Sequence, residues 1–172
     1  MASILRKNKN QKMKIEYASV KLYKSYCEAV TSVCKEGKYL ANTSGFSKKQ
    51  TKSFVEKVIS NNYSQFFAIE NNQIIGWCDI IPKEQELHKH VGVLGMGIIS
   101  GFRKKGIGTE LMSRTISHAR LNGIERIELE VYANNLIAQK LYKKFGFVIE
   151  GVKRKGKKIN DEYEDVIMMG LI

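Results

Sequence analysis

The stretch that decides the reading is Arg103-Lys104-Lys105-Gly106-Ile107-Gly108. It stands between an apolar, glycine-containing run, Val91–Ile99, and a helical pattern over Gly106–Leu121 that carries Ile107, Leu111, Met112 and Ala119 on one side. Val91–Ile99 reads as a buried strand, and an irregularity is expected at Gly95 or Gly97, because glycine inside a strand marks bulges and close approaches. Glycines directly ahead of a helix let backbone N–H groups come close to an anion, which the free amides and dipole of the first turn then attract. The loop therefore predicts an anion-binding helix N-terminus. It lacks the glycine and Lys-Ser/Thr spacing of a Walker loop. It also lacks the GxGxxG run, with an acidic residue about 20 positions on, of a dinucleotide fingerprint.

Upstream of that strand, Phe66–Ile69 and Ile74–Ile81 alternate as strands around Asn71–Asn72, a turn-favouring pair that predicts a hairpin, with Pro82 closing the second strand. Before them, Ile15–Tyr17 is a short strand. Ser19 is placed to cap a helix whose face carries Leu22, Tyr26, Ala29, Val30 and Val33, ending at Gly37. Ser47 opens a second helix with Phe54, Val55, Val58 and Ile59 on its buried side, finishing at Asn61–Asn62. Downstream come a strand at Arg126–Tyr132, a helix at Asn135–Phe145, and strands near Phe147–Val152 and Tyr163–Leu171. Strands and helices mixed in this order predict an α/β (α+β) chain with helices packed on a central mixed sheet.

A length of 172 residues fits one core, expected over residues 13–172, and the polar, unpatterned residues 1–12 read as a flexible tail. The hydrophobic share of 43% and the charged share of 27% exclude a disordered chain. No run approaches the roughly 18 apolar residues of a membrane span, and Met1–Lys14 has no apolar signal-peptide core, so a cytoplasmic protein is expected. Cys27, Cys34 and Cys78 have neither metal-site nor CxxC spacing and read as reduced core thiols, with no metal. Lys and Arg exceed Asp and Glu by 29 − 17 = 12, a balance that favours phosphate-bearing partners. Much of the excess lies in Arg6–Lys14 and in Lys153, Arg154, Lys155, Lys157 and Lys158, runs that read as solvated tail and hairpin charge or as a phosphate-contacting hairpin.

A second segment agrees with the first. Asn135-Leu136-Ile137-Ala138-Gln139-Lys140-Leu141-Tyr142-Lys143-Lys144-Phe145-Gly146-Phe147 falls one strand after the glycine loop. Together the two resemble the GNAT N-acetyltransferases, which carry Gln/Arg-x-x-Gly-x-Gly/Ala after their fourth strand and Asn-x-x-Ala-x-x-Leu-Tyr-x-x-x-Gly-Phe after their fifth. The resemblance covers residues 66–172. The chain departs from it at Ser100, where many members have proline, and in the glycine content of Val91–Ile99.

The resemblance implies a GNAT fold, with a splayed fourth and fifth strand pair flanked by about four helices. It implies direct transfer of an acetyl group from acetyl-CoA to a primary amine, on a small molecule or a protein N-terminus. The cofactor contacts it implies are the backbone of Met96, Gly97 and Ile98, whose N–H groups would face the thioester oxyanion; the loop residues Arg103, Lys104, Lys105, Gly106, Ile107, Gly108 and Thr109; and Asn135, Ala138 and Tyr142. The residues themselves also allow simpler roles: core packing for the Met96 and Ile98 side chains, an N-cap for Asn135, and a buried tyrosine at Tyr142.

Tyr142 is the expected general acid toward the CoA thiolate. A Lys-like amine is almost wholly protonated at pH 7, so a base is needed. Glu130 is the first candidate, since alternation in Arg126–Tyr132 turns it from the apolar face, and His90 is the second; Cys78 and Asp79 follow. The acceptor pocket is expected between Gly37–Phe46 and Lys153–Asp165, whose basic row would disfavour a polycation such as spermine. Acetyl-CoA and the amine are the expected partners, with a homodimer left open and neither membrane nor nucleic acid expected. Two other readings remain open: a CoA-binding sensor of the same fold without catalysis, and a basic nucleic-acid-associated module.

Overall fold

Asn71 and Asn72 both take positive φ, 49° and 63°, the pair of left-handed residues that a two-residue hairpin loop requires. They join strand β2, Ser64–Glu70, to β3, Gln73–Pro82, and around this hairpin the rest of the sheet assembles. The structure, a computed structural model, describes residues 13–172, so the tail expected over residues 1–12 lies outside the described residues. The other strands are β1 (Lys14–Tyr17), β4 (Val91–Ile98), β5 (Arg126–Tyr132), β6 (Val148–Ile159) and β7 (Glu162–Leu171). Helices α1 (Tyr23–Lys35), α2 (Lys48–Ser60), α3 (Ile107–Leu121) and α4 (Leu136–Lys144) cover the sheet, whose order is β1-β2-β3-β4-β5-β7-β6.

All neighbours are antiparallel except β4 and β5, which run parallel and pair only at Val91↔Arg126, Gly92↔Ile127 and Val93↔Glu128. Beyond Val93, β4 stays with β3 as far as Gly76↔Ile98, while β5 stays with β7 as far as Tyr132↔Val166. The sheet therefore parts in its middle, as expected of a splayed fourth and fifth pair.

Each face has its own core. Leu94, Leu111, Met112, Ile127, Leu129, Tyr142 and Met169 pack under α3 and α4, whereas Tyr26, Val33, Val55, Val58, Phe67 and Trp77 pack under α1 and α2. The three cysteines are free and buried, Cys78 and Cys34 within these two cores. α2 begins as expected: Ser47 and Gln50 form a capping box, which satisfies two amides at the helix start reciprocally.

Three expectations need correction. Ser19 makes no side-chain cap, because the chain first takes a 3-10 turn at Val20–Leu22 and α1 begins only at Tyr23. The irregularity expected at Gly95 or Gly97 is absent, and the register of β3 with β4 is unbroken. These glycines instead make room for side chains from β3: a Cβ on Gly97 would lie 2.3 Å from the Trp77 ring, and one on Gly95 would lie 3.1 Å from Asp79 Oδ1. Finally, β6 extends through the basic run to Ile159 and turns at Asn160–Asp161, with register shifts on the way. Pairing explains it. Lys153 meets Glu130, Lys157 meets Glu164 at 3.2 Å and Lys158 meets Asp161 at 2.8 Å, so neighbouring acids offset three of the five cations in the row.

Candidate active site

The glycine loop sits at the end of β4 where the strands have parted. Lys104 (φ 62°) and Gly106 (φ 81°) are both left-handed, and Gly106 directly precedes the first turn of α3. That conformation is costly for most side chains, and a Cβ added to Gly106 would meet nothing within 4 Å. The loop thus turns sharply, at exposed residues, into the start of a 15-residue helix, an arrangement suited to a phosphate. Gly108 is packed differently: a Cβ there would lie 3.0 Å from Leu141 Cδ2 and 3.4 Å from both Ile98 Cδ1 and Met96 Cε. It lets α4 and the end of β4 close against α3. The Met96 and Ile98 side chains are therefore packing groups.

Arg103 is committed within the chain. Its guanidinium forks onto the Glu36 carboxylate at 2.8 and 2.5 Å, its Nε donates to the Ile98 carbonyl at 2.8 Å, and it lies 4.6 Å from the Tyr39 ring centroid. It joins the loop after α1 to the loop before α3. Lys105 rests over Phe102, 4.9 Å from its ring centroid.

On the far side of the gap, Asn135 Oδ1 accepts from the Ala138 amide at 3.2 Å, so Asn135 is the N-cap of α4. About two turns on, Tyr142 is buried among the residues under α3 and α4, 5.9 Å from Phe147 between ring centroids. Burial pushes its phenol well above the ordinary value, and the nearby Cys78 adds to this, so it stays protonated at neutral pH. The sealed side-chain polar atoms without a partner are those of Gln65 alone among the described residues, so the Tyr142 hydroxyl is not one of them.

The structure places the two leading base candidates differently: Glu130 borders the gap on β5, two residues past Glu128, the last residue to pair with β4, whereas His90 lies away from it. His90 precedes β4 at its opposite end, exposed, and its carbonyl accepts from the Glu125 and Arg126 amides at 2.8 and 3.1 Å. Six residues of extended chain, about 20 Å, separate it from Met96. Glu130 faces the right side of the sheet, but its side chain is 55% exposed and one carboxylate oxygen is held by Lys153.

A cavity of about 760 Å³ opens between the loop after α1 and the β6–β7 hairpin, lined by Gly37, Lys38, Asn134, Lys157, Glu162 and Glu164 among others. It lies where the acceptor pocket was expected. Its charge differs from expectation: three carboxylates, Glu162, Glu164 and Asp165, face two ammonium groups, Lys38 and Lys157, and Lys157 is already paired with Glu164. The repulsion expected toward a polycation therefore has no basis at this wall. Among the described residues no three His, Cys, Asp or Glu side chains gather as a metal site, and no helix is long and apolar enough to cross a membrane.

A parted mixed sheet with a glycine-loop helix N-terminus at its opening defines an acyltransferase architecture, and comparison with known proteins agrees. The chain belongs to the GNAT acetyltransferase family, whose model matches residues 30–147. It is 31% identical over 109 residues to the L-amino acid N-acetyltransferase AaaT of Escherichia coli, covering 63% of this chain and 67% of that one. It is 27% identical over 133 residues to a putative [ribosomal protein bS18]-alanine N-acetyltransferase of Bacillus subtilis, covering 76% and 84%. Among solved structures, a GNAT-family acetyltransferase of Streptococcus pneumoniae superposes with a TM-score of 0.87 at 28% identity, over 93% of this chain and 99% of that one. A putative acetyltransferase of Salmonella typhimurium, solved with its cofactor acetyl-CoA, shares the fold at a TM-score of 0.87 and 17% identity, over 94% of each chain.

Proposed function

We propose that this protein transfers the acetyl group of acetyl-CoA directly to a primary amine, of a small molecule or of a protein N-terminus. The observation that carries the reading is the left-handed glycine loop, which turns into the first amides of α3 beside the parted strands. Diphosphate oxygens would be held by those amides, with Lys104 and Lys105 beside them, and the pantetheine arm would enter between β4 and β5. Acetyl-CoA supplies a thioester carbonyl open to attack by an amine. The backbone of Met96–Ile98 borders the gap where that carbonyl would lie, and the protonated Tyr142 would give its proton to the departing thiolate. Among the relatives, the names of the Escherichia coli and Bacillus subtilis enzymes both specify an α-amino group, on a free amino acid and on a protein chain. Both classes of acceptor fit a polar cavity open to solvent.

The pairing of Lys153, Lys157 and Lys158 with neighbouring acids weakens the nucleic-acid reading, because a phosphate would have to compete there with those carboxylates. The test is calorimetry with acetyl-CoA followed by thiol release over a panel of L-amino acids and short peptides. We expect binding in the micromolar range or tighter, and turnover with some member of the panel. Binding without turnover would favour a CoA sensor, and no binding would remove the reading. Arg103→Glu should weaken acetyl-CoA binding, because it puts a carboxylate beside the phosphate site and opposite Glu36.

A further inference from the structure

Cys78 and Asp79 are consecutive residues of β3, so their side chains leave opposite faces of the sheet. Cys78 enters the core under α3 and α4, near the Tyr142 phenol. Asp79 enters the face covered by α1 at the same level. Its register partner on β4 is Gly95, two residues past Val93, the last residue of β4 that pairs with β5. Because Gly95 has no side chain, the carboxyl can lean over the strand toward the opening, with Oδ1 where a Cβ on Gly95 would crowd it at 3.1 Å.

The surroundings of that carboxyl are unusual. Gln65, its partner on β2, is fully buried, and neither end of its amide completes a well-formed hydrogen bond, although it lies close enough to favour the charged carboxylate somewhat. The Tyr26 hydroxyl approaches from α1 near both residues. Tyr26 and Cys78 are the titratable groups that bear on Asp79; β2 presents Gln65 and β4 the bare backbone of Gly95, and no cation bears on it from these elements among the described residues. Burial accordingly pushes the Asp79 carboxyl up to about 7, although the residue keeps partial exposure. A largely buried carboxyl beside an unsatisfied amide, in an otherwise apolar core, costs stability and so points to use.

We propose that Asp79 is the base that takes the proton from the acceptor amine, from the face of the parted sheet opposite Tyr142. The inference rests on the acetyl-transfer reading above. The acceptor ammonium gives one proton to the Asp79 carboxylate, which passes it to solvent. The neutral nitrogen forms the N–C bond to the thioester carbonyl as the C–S bond breaks. The thiolate takes a proton from Tyr142, and the second proton lost by nitrogen restores the phenol, so each turnover yields amide, thiol and one proton in solvent. A carboxyl that titrates near neutrality suits this cycle, being ionised in time to accept and weak enough to hold.

The test uses the full chain, acetyl-CoA and free L-amino acids, whose amines lose their proton well above neutrality, with thiol release followed from pH 5.5 to 10. In the wild type, kcat/KM should rise tenfold per pH unit to about pH 7 and then level, because a base of that pKa allows the ammonium form of the acceptor to be used. Asp79→Asn should lower kcat at pH 7 by about 10²- to 10⁴-fold. The remaining rate should climb without levelling up to the pKa of the acceptor itself, while acetyl-CoA affinity stays unchanged. Asp79→Glu should restore part of the rate and the levelling. An active Asp79→Asn enzyme that keeps the wild-type profile overturns the proposal, as does a profile that only Glu130→Gln alters. If Asp79→Asn fails to fold, the carboxyl carbon of Asp79 is titrated by NMR in the wild type, where a value below about 5 overturns the proposal and one near 7 supports it. Absence of thiol release by the wild type over the whole panel removes the transfer reaction, and this step with it; a normal wild type with an unaltered variant removes Asp79 alone.

Discussion

The half of the opening proposed for the cofactor and the half proposed for the acceptor are built from different material. Around Gly106 and the first turn of α3 the useful groups are backbone amides, and side chains matter chiefly by their absence or by closing the packing. Around Asp79 and the cavity under the β6–β7 hairpin the useful groups are side chains drawn from β2, β3, β7 and α1. A site made of backbone is fixed by local conformation, so its sequence is short and contiguous. A site made of side chains is fixed by register between distant segments, and no contiguous stretch spells it.

Four changes would sharpen or break this contrast. Tyr142→Phe should have the largest effect, lowering kcat about 10²- to 10⁴-fold with acetyl-CoA affinity unchanged, since the ring remains and only the proton donor goes; rapid-quench kinetics that isolate the chemical step would check it. Next is stability. Asp79 has its carboxyl raised from 3.8 to about 7, so the stability present below pH 3.8 is lost as pH rises to 7, a loss of up to about 4 kcal/mol. Asp79→Asn, which cannot ionise, should therefore unfold at higher denaturant than the wild type at pH 8 and at similar denaturant near pH 4; equal midpoints at pH 8 would show that the carboxyl is not raised. Gly108→Val comes third. It should cost about 1–3 kcal/mol by crowding Leu141, Ile98 and Met96, and should weaken acetyl-CoA binding as α3 shifts, both read by calorimetry. Lys153→Met should do least, less than about 1 kcal/mol, because its pair with Glu130 is exposed, and thermal denaturation should barely register it.

The sequence was legible where one segment carries its own reason. The Ser47 capping box, the Asn71–Asn72 turn, the Gly106 loop and the Asn135 cap each act within a few residues, and each stands where it was expected. Residue type and strand alternation give Glu130 its face of the sheet, but they give neither its neighbours nor the distance of His90 along the sheet. Lys153 engages Glu130 from another strand, and His90 lies at the wrong end of its own. In the sequence Gly95 and Gly97 point to an irregularity of their own strand, whereas their reason lies across the sheet in Asp79 and Trp77. Opposing glycines in β4 to bulky or charged residues in β3 was the available signal, but it needs the antiparallel register of the two strands to be seen.

The parting of β4 from β5 leaves the middle of the sheet with an inner margin. Along Leu94–Ile98, amides that point toward β3 are bonded, whereas those that point the other way face the gap. Hydrogen exchange along this strand should therefore alternate, slow at one residue and fast at the next, a pattern usually found at the rim of a sheet rather than at its centre. A molecule lodged in the gap would slow the fast set without touching the slow one, so the strand itself would report occupancy residue by residue.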